Sequence, residues 1–145
     1  MESNKNILIR NLAESVLRCL ENELSGFINS CYERFPHGCC DIASGLLYRA
    51  LCNEGYEDIF IIRGANKDNL YHVWVEVDEL VIDLTSHQFE LFEKPMILIR
   101  KNEFPLNKIP FYSDTELTDI NDWDYFNCLA IEFFEIFYSQ YYTRQ

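Results

Sequence analysis

Tyr71-His72-Val73-Trp74-Val75-Glu76-Val77 is followed by the polar pair Asp78-Glu79 and then by Leu80-Val81-Ile82-Asp83-Leu84. β-Branched and aromatic residues on both sides of a polar pair predict two strands joined by a tight turn. With Asp78-Glu79 as a two-residue turn, Val77 faces Leu80, Val75 faces Ile82 and Trp74 faces Asp83. Side chains alternate with period two, so His72 shares a face with Trp74 and stands diagonal to Asp83. Diagonal neighbours lie roughly 7–8 Å apart or somewhat less, a gap that an imidazole and a carboxylate bridge. An aspartate is disfavoured in so apolar a strand, and its burial requires a partner. His72 is the nearest one.

Working outward, Asp58-Ile59-Phe60-Ile61-Ile62-Arg63 reads as a further strand ended by Arg63-Gly64, and Pro95 to Lys101 as another. Residues 102–116, with Pro105 and Pro110, read as an irregular connection. Upstream, apolar residues from Ile9 to Cys31 recur at three-and-four spacing and predict one long helix, bent at Gly26. Phe35-Pro36-His37-Gly38 breaks that period, and Cys40, Ala43, Leu46, Leu47, Ala50 and Leu51 begin a new helix that stops at Gly55. Asp124 to Tyr141 returns to helical spacing. Helices first, then an antiparallel sheet and a closing C-terminal helix, make the fold class α+β.

A chain of 145 residues has room for one domain, spanning residues 1–145. With 48% hydrophobic and 25% charged residues, composition excludes the disordered classes. Twelve Lys and Arg against 24 Asp and Glu give a net charge of -12, which repels phosphate backbones, so nucleic acid is not expected as a partner. No apolar run approaches the roughly 20 residues of a membrane span. Met1 to Asn6 lacks the features of a secretory signal, so a cytoplasmic location and free thiols are expected for the six cysteines. Cys19, Cys52 and Cys128, on or near apolar helical stripes, read as small buried hydrophobes.

Cys40 is different because it opens a helix. A thiol there meets the helix dipole and unpaired backbone N–H groups, and beside an imidazolium it favours its thiolate form. A carboxylate that holds one nitrogen of His72 leaves the other for the thiol, and the amides that lead the helix are aimed at the oxygen of an attacked carbonyl.

Three blocks, Phe35 to Ser44 around Cys39-Cys40, Tyr71 to Glu76 around His72, and Ile82 to Phe89 around Asp83, resemble the Cys-His-Asp pattern of small bacterial papain-fold and transglutaminase-like proteins. That group includes peptidases, transferases and glutamine deamidase toxins, and the resemblance covers roughly residues 35–90. It implies a papain-like, transglutaminase-like fold with Cys40 as nucleophile, His72 as base and Asp83 as orienting group. The implied function is thiol-dependent amide hydrolysis or acyl transfer on a protein or peptide, in a cytoplasmic enzyme or in a toxin or effector secreted without a classical signal. Papain-like peptidases also carry a glutamine upstream of the cysteine, and Tyr32-Glu33-Arg34-Phe35 contains none, so a second oxyanion donor is unassigned.

Cys39, Trp74, His87 and Gln88 are the residues expected to meet substrate. No metal or organic cofactor is expected: His37, Cys39, Cys40 and His72 hold the right atoms for zinc but not the CxxC or HxxxH spacing. The acidic surface suits a basic substrate. It equally suits the alternative reading, an inactive papain-like binding module such as an acidic immunity or adaptor protein.

Overall fold

The computed structural model describes residues 2–27, 35, 39–66, 71–86, 94–103, 111–116 and 122–144. Helix α1 spans Asn4–Glu23, α2 Cys40–Asn53 and α3 Asp124–Ile136. Strands β1 (Ile59–Asn66), β2 (Tyr71–Val77), β3 (Leu80–Asp83), β4 (Met96–Arg100) and β5 (Phe111–Glu116) form one sheet in the order β4-β3-β2-β1-β5, with every pairing antiparallel. The architecture is α+β, as expected.

Ser3 caps α1 by accepting a hydrogen bond from the Asn6 N–H at 3.1 Å, which satisfies one of the helix's orphan donors. The helix was expected to continue to Cys31. It ends at Glu23 and tightens into a single 3-10 turn, Leu24–Gly26, after which Phe27 is extended. Ser25 and Gly26 are weak helix formers, and they end the helix rather than bend it; Cys31 lies outside the described residues.

The hairpin has the register read from the sequence: Val75 pairs with Ile82 and Val77 with Leu80. Asp78 and Glu79 have φ of 50° and 63°, the two positive values that a type I′ turn demands. Lys5 Nζ lies 2.6 Å from the Asp78 carboxylate, and the Lys101 N–H donates to the Glu79 carbonyl at 2.9 Å, so the turn is tied to α1 and to the end of β4.

Two strand expectations are corrected. Arg63-Gly64 does not end β1, which runs on to Asn66 with Gly64 directly opposite His72. Cross-strand pairing on both sides of β1 carries the strand through the glycine. Nor is all of 102–116 irregular, because Phe111–Glu116 pairs with the outer edge of β1. Its Ser, Asp and Glu residues give it no apolar run, and an edge strand needs none.

The core joins Leu12, Val16 and Leu20 of α1, Ile42, Leu46 and Leu47 of α2, Val73, Val75, Val77, Ile59, Ile61 and Ile82 of the sheet, and Phe126, Phe133 and Phe137 at the C-terminal end. Val73, Val75 and Val77 lie on one face of β2, so His72, Trp74 and Glu76 lie on the other. His72 and Trp74 are buried there too. Cys19 is buried as expected, whereas Cys52 and Cys128 are exposed. Cys52 falls in the last turn of α2, rotated away from Ala50 and Leu51. Cys128 is off the α3 stripe of Phe126, Leu129, Ala130 and Phe133. No helix is long and apolar enough to cross a membrane among the described residues.

Candidate active site

Cys40 is the first residue of α2, and Cys39 before it supplies no side-chain cap. Helices usually begin at Ser, Thr, Asp or Asn, whose oxygen occupies the leading amides. Here Asp41 turns its carboxylate back onto the Ile42 N–H at 2.8 Å. Burial pushes the Asp41 carboxyl up, against the hydrogen bonds from the Ile42 and Asp41 amides, which lower it. Cys40 itself is half-buried, while Cys39 is fully buried in the core.

His72 is wholly removed from solvent and Asp83 is 1% exposed. The hairpin register places them diagonally, and His72 Nε2 lies 2.7 Å from Asp83 Oδ2. The other carboxylate oxygen, Oδ1, accepts from the Thr85 N–H at 3.0 Å and from Thr85 Oγ1 at 3.4 Å. Both oxygens of a buried carboxylate are thereby satisfied, and the chain turning out of β3 fixes the orientation of the group.

With Nε2 committed to Asp83, Nδ1 is the ring nitrogen left to face Cys40, and a hydrogen bond and the charge of Cys40 act on the same imidazole. Burial, the largest single influence, pushes the His72 pKa down. The charge and hydrogen bond of Asp83 and those of Cys40 outweigh it together, and the pKa is raised to about 9. The charged form of the ring is thus favoured, with the Asp83 carboxylate on one side and Cys40 on the other.

Ser44, one turn after Cys40, donates its hydroxyl to the carbonyl of Val73 at 3.1 Å, the residue after His72. That buried bond sets the helix of the thiol against the strand of the imidazole. Gly64, opposite His72, carries no side chain to crowd the ring.

Trp74 is 3% exposed, its ring centroid is 6.0 Å from that of His72 and the planes are tilted by 33°. Its indole N–H donates to Glu76 Oε2 at 2.9 Å. The expected substrate contacts are thus distributed: Trp74 lies beside the imidazole, Cys39 is fully buried in the core, and His87 and Gln88 lie outside the described residues. His37, from the zinc reading, lies outside them as well. Among the described residues no three His, Cys, Asp or Glu side chains are grouped to hold a metal ion. Sequence reasoning did not find Thr85, Ser44 or Glu76. The first follows Asp83 by two residues, a spacing common for side chains that bond nearby backbone.

No protein-family model, curated protein or solved structure matches this chain.

Proposed function

We propose that the protein is a thiol-dependent amide hydrolase or acyl transferase that acts on protein or peptide, as a glutamine deamidase or small cysteine peptidase, with Cys40 as nucleophile. The observation that carries the reading is the unbroken order Cys40, His72, Asp83 around one buried imidazole, with the thiol at a helix N-terminus. A structural histidine needs one partner to offset its burial. One held between a fixed carboxylate and a half-exposed thiol has the arrangement of an activated nucleophile and its base.

In this reading the Cys40 sulfur, as thiolate, attacks the amide carbonyl carbon and forms a C–S bond. The N–H of Cys40 itself, ahead of the Asp41 and Ile42 amides that the Asp41 carboxylate takes, meets the charge that develops on the oxygen. The His72 imidazolium gives its Nδ1 proton to the departing nitrogen as the C–N bond breaks, releasing ammonia or a peptide amine and leaving a thioester. Water, deprotonated by the now neutral His72, or an acceptor amine then resolves the thioester and restores the thiol. Asp83 stabilises the imidazolium at each stage without taking the proton. The net charge of -12 favours basic substrates.

The test is competitive alkylation with iodoacetamide at pH 6–7, read by peptide mapping. Cys40 should react far faster than Cys52 and Cys128, although both of those are more exposed. Equal rates at the three thiols would sink the proposal. Intact mass of glutamine-containing basic peptides after incubation then separates deamidation, about +1 Da, from cleavage, which yields fragments.

A further inference from the structure

Glu76 is not needed by the chemistry above, yet its side chain is only 13% exposed and its carboxylate joins two other side chains. One oxygen, Oε2, accepts the Trp74 indole N–H at 2.9 Å; the other, Oε1, lies 3.2 Å from Lys101 Nζ. Tryptophan has one donor, so this bond alone satisfies the indole nitrogen and fixes the ring's rotation. A carboxylate so little exposed needs a counter-charge, and Lys101, itself half-exposed, supplies one from the end of β4. The same indole stands 6.0 Å from the His72 imidazole, at the edge of the range over which an aromatic face attracts a cation. His72, Trp74 and Glu76 are alternate residues of β2 and share one face, so the three side chains form a row.

We propose that Glu76 is a positioning residue, which acts through Trp74 by locking the indole beside His72 so that the imidazolium stays dry and coupled to Asp83. This rests on the reading of His72 as the base of the site. Among the described residues, the ionisable groups that act on His72 are Asp83 from β3 and Cys40 from α2, with Glu76 and Lys101 behind the indole. Water admitted beside the ring eases the burial that opposes the charge, but it also screens the Asp83 carboxylate that outweighs that burial, and loss of the indole face removes a favourable contact with the cation. The titration of His72 then relaxes downward toward its ordinary value.

The test uses the full chain with His37 and His87 replaced by Gln, so that His72 is the one imidazole left to follow by NMR, and Trp123→Phe, so that fluorescence reports Trp74 alone. Glu76→Ala should lower the His72 midpoint by about one unit and cost Trp74 its protection from acrylamide. Glu76→Gln, whose amide oxygen still accepts the indole N–H, should restore both. If Glu76→Ala folds poorly, Trp74→Phe gives a second route: it should lower the midpoint by itself, and Glu76→Gln added to it should change nothing more.

A Glu76→Ala protein that keeps the wild-type midpoint and quenching would overturn the proposal. So would a Glu76→Gln protein that behaves like Glu76→Ala, since the charge rather than the hydrogen bond would then be responsible. Neither readout requires Cys40 to be reactive, so its slow alkylation would sink the proposed function and leave this row of side chains to stand or fall by itself.

Discussion

Asp83 holds His72 through Nε2 at 2.7 Å, with neither side chain in contact with solvent, and this fixes which ring nitrogen is left for the thiol. Removing one partner of such a buried pair leaves the other uncompensated, at a cost of about 3–5 kcal/mol. The pair is therefore a structural commitment as well as a chemical one. Substitutions at either residue must be read for stability and for rate.

Asp83→Asn keeps an oxygen for the Nε2–H but removes the negative charge that stabilises the imidazolium. Turnover should fall by about 10²–10⁴, and His72→Ala should fall further because the proton carrier is gone. Steady-state rates on the responsive peptide, beside a melting curve for each variant, separate the two effects. Equal rates for Asp83→Asn and wild type would remove Asp83 from the mechanism.

Cys40→Ala should abolish turnover with little change in melting temperature, because the side chain is half-buried and lies at a helix end. Cys39→Ala should do the reverse: its thiol is fully buried, so deletion costs roughly 1 kcal/mol, while most activity remains. A dead Cys39→Ala beside an active Cys40→Ala would move the nucleophile by one residue.

The His72–Asp83 contact was legible because a hairpin with a two-residue turn has only one register, and that register decides which side chains share a face. The start of α2 was equally legible, from Pro36, Gly38 and a new helical period. The end of α1 was not, because its apolar spacing continues past Gly26 while the backbone does not. Strand β5 was hidden since pairing with an edge, rather than apolar alternation, holds it. Thr85, Ser44 and Glu76 act through single hydrogen bonds of polar side chains, and no periodicity marks these.

Thr85 grips Asp83 twice, and the two bonds are unequal: the backbone N–H at 3.0 Å and the hydroxyl at 3.4 Å. The longer is at the weak end of hydrogen-bond geometry. Thr85→Val should consequently cost under about 1 kcal/mol and leave the rate within a few-fold of wild type. Ser44→Ala breaks the 3.1 Å bond that sets α2 against β2, and it should lower kcat more than it changes KM. If Thr85→Val proves the more damaging of the two, the hydroxyl and not the backbone orients the carboxylate.

The last prediction concerns pH. In the folded protein the His72 pKa is raised to about 9, although burial alone pushes it down, because the carboxylate of Asp83 and then Cys40 favour the charged ring. In the unfolded chain a histidine titrates near 6.5. Below that value the ring is protonated in both states and the stabilisation is fully present. Between about 6.5 and 9 the folded state binds the extra proton, so stability falls as pH rises, at up to about 1.4 kcal/mol per unit. Cys19 contributes in the same direction at the alkaline end, since burial, followed by the charge of Glu23, pushes its thiol up to about 12 while the unfolded thiol ionises far lower. Urea unfolding of wild type and His72→Gln at pH 6, 7.5 and 9 cancels that contribution: the difference between the two proteins should shrink steadily with pH. In kinetics the same proton sets the alkaline limb of kcat/KM near pH 9, and Asp83→Asn should move that limb down. Parallel stability curves for wild type and His72→Gln across this window would mean that His72 is neutral in the folded protein and cannot deliver a proton to the leaving group.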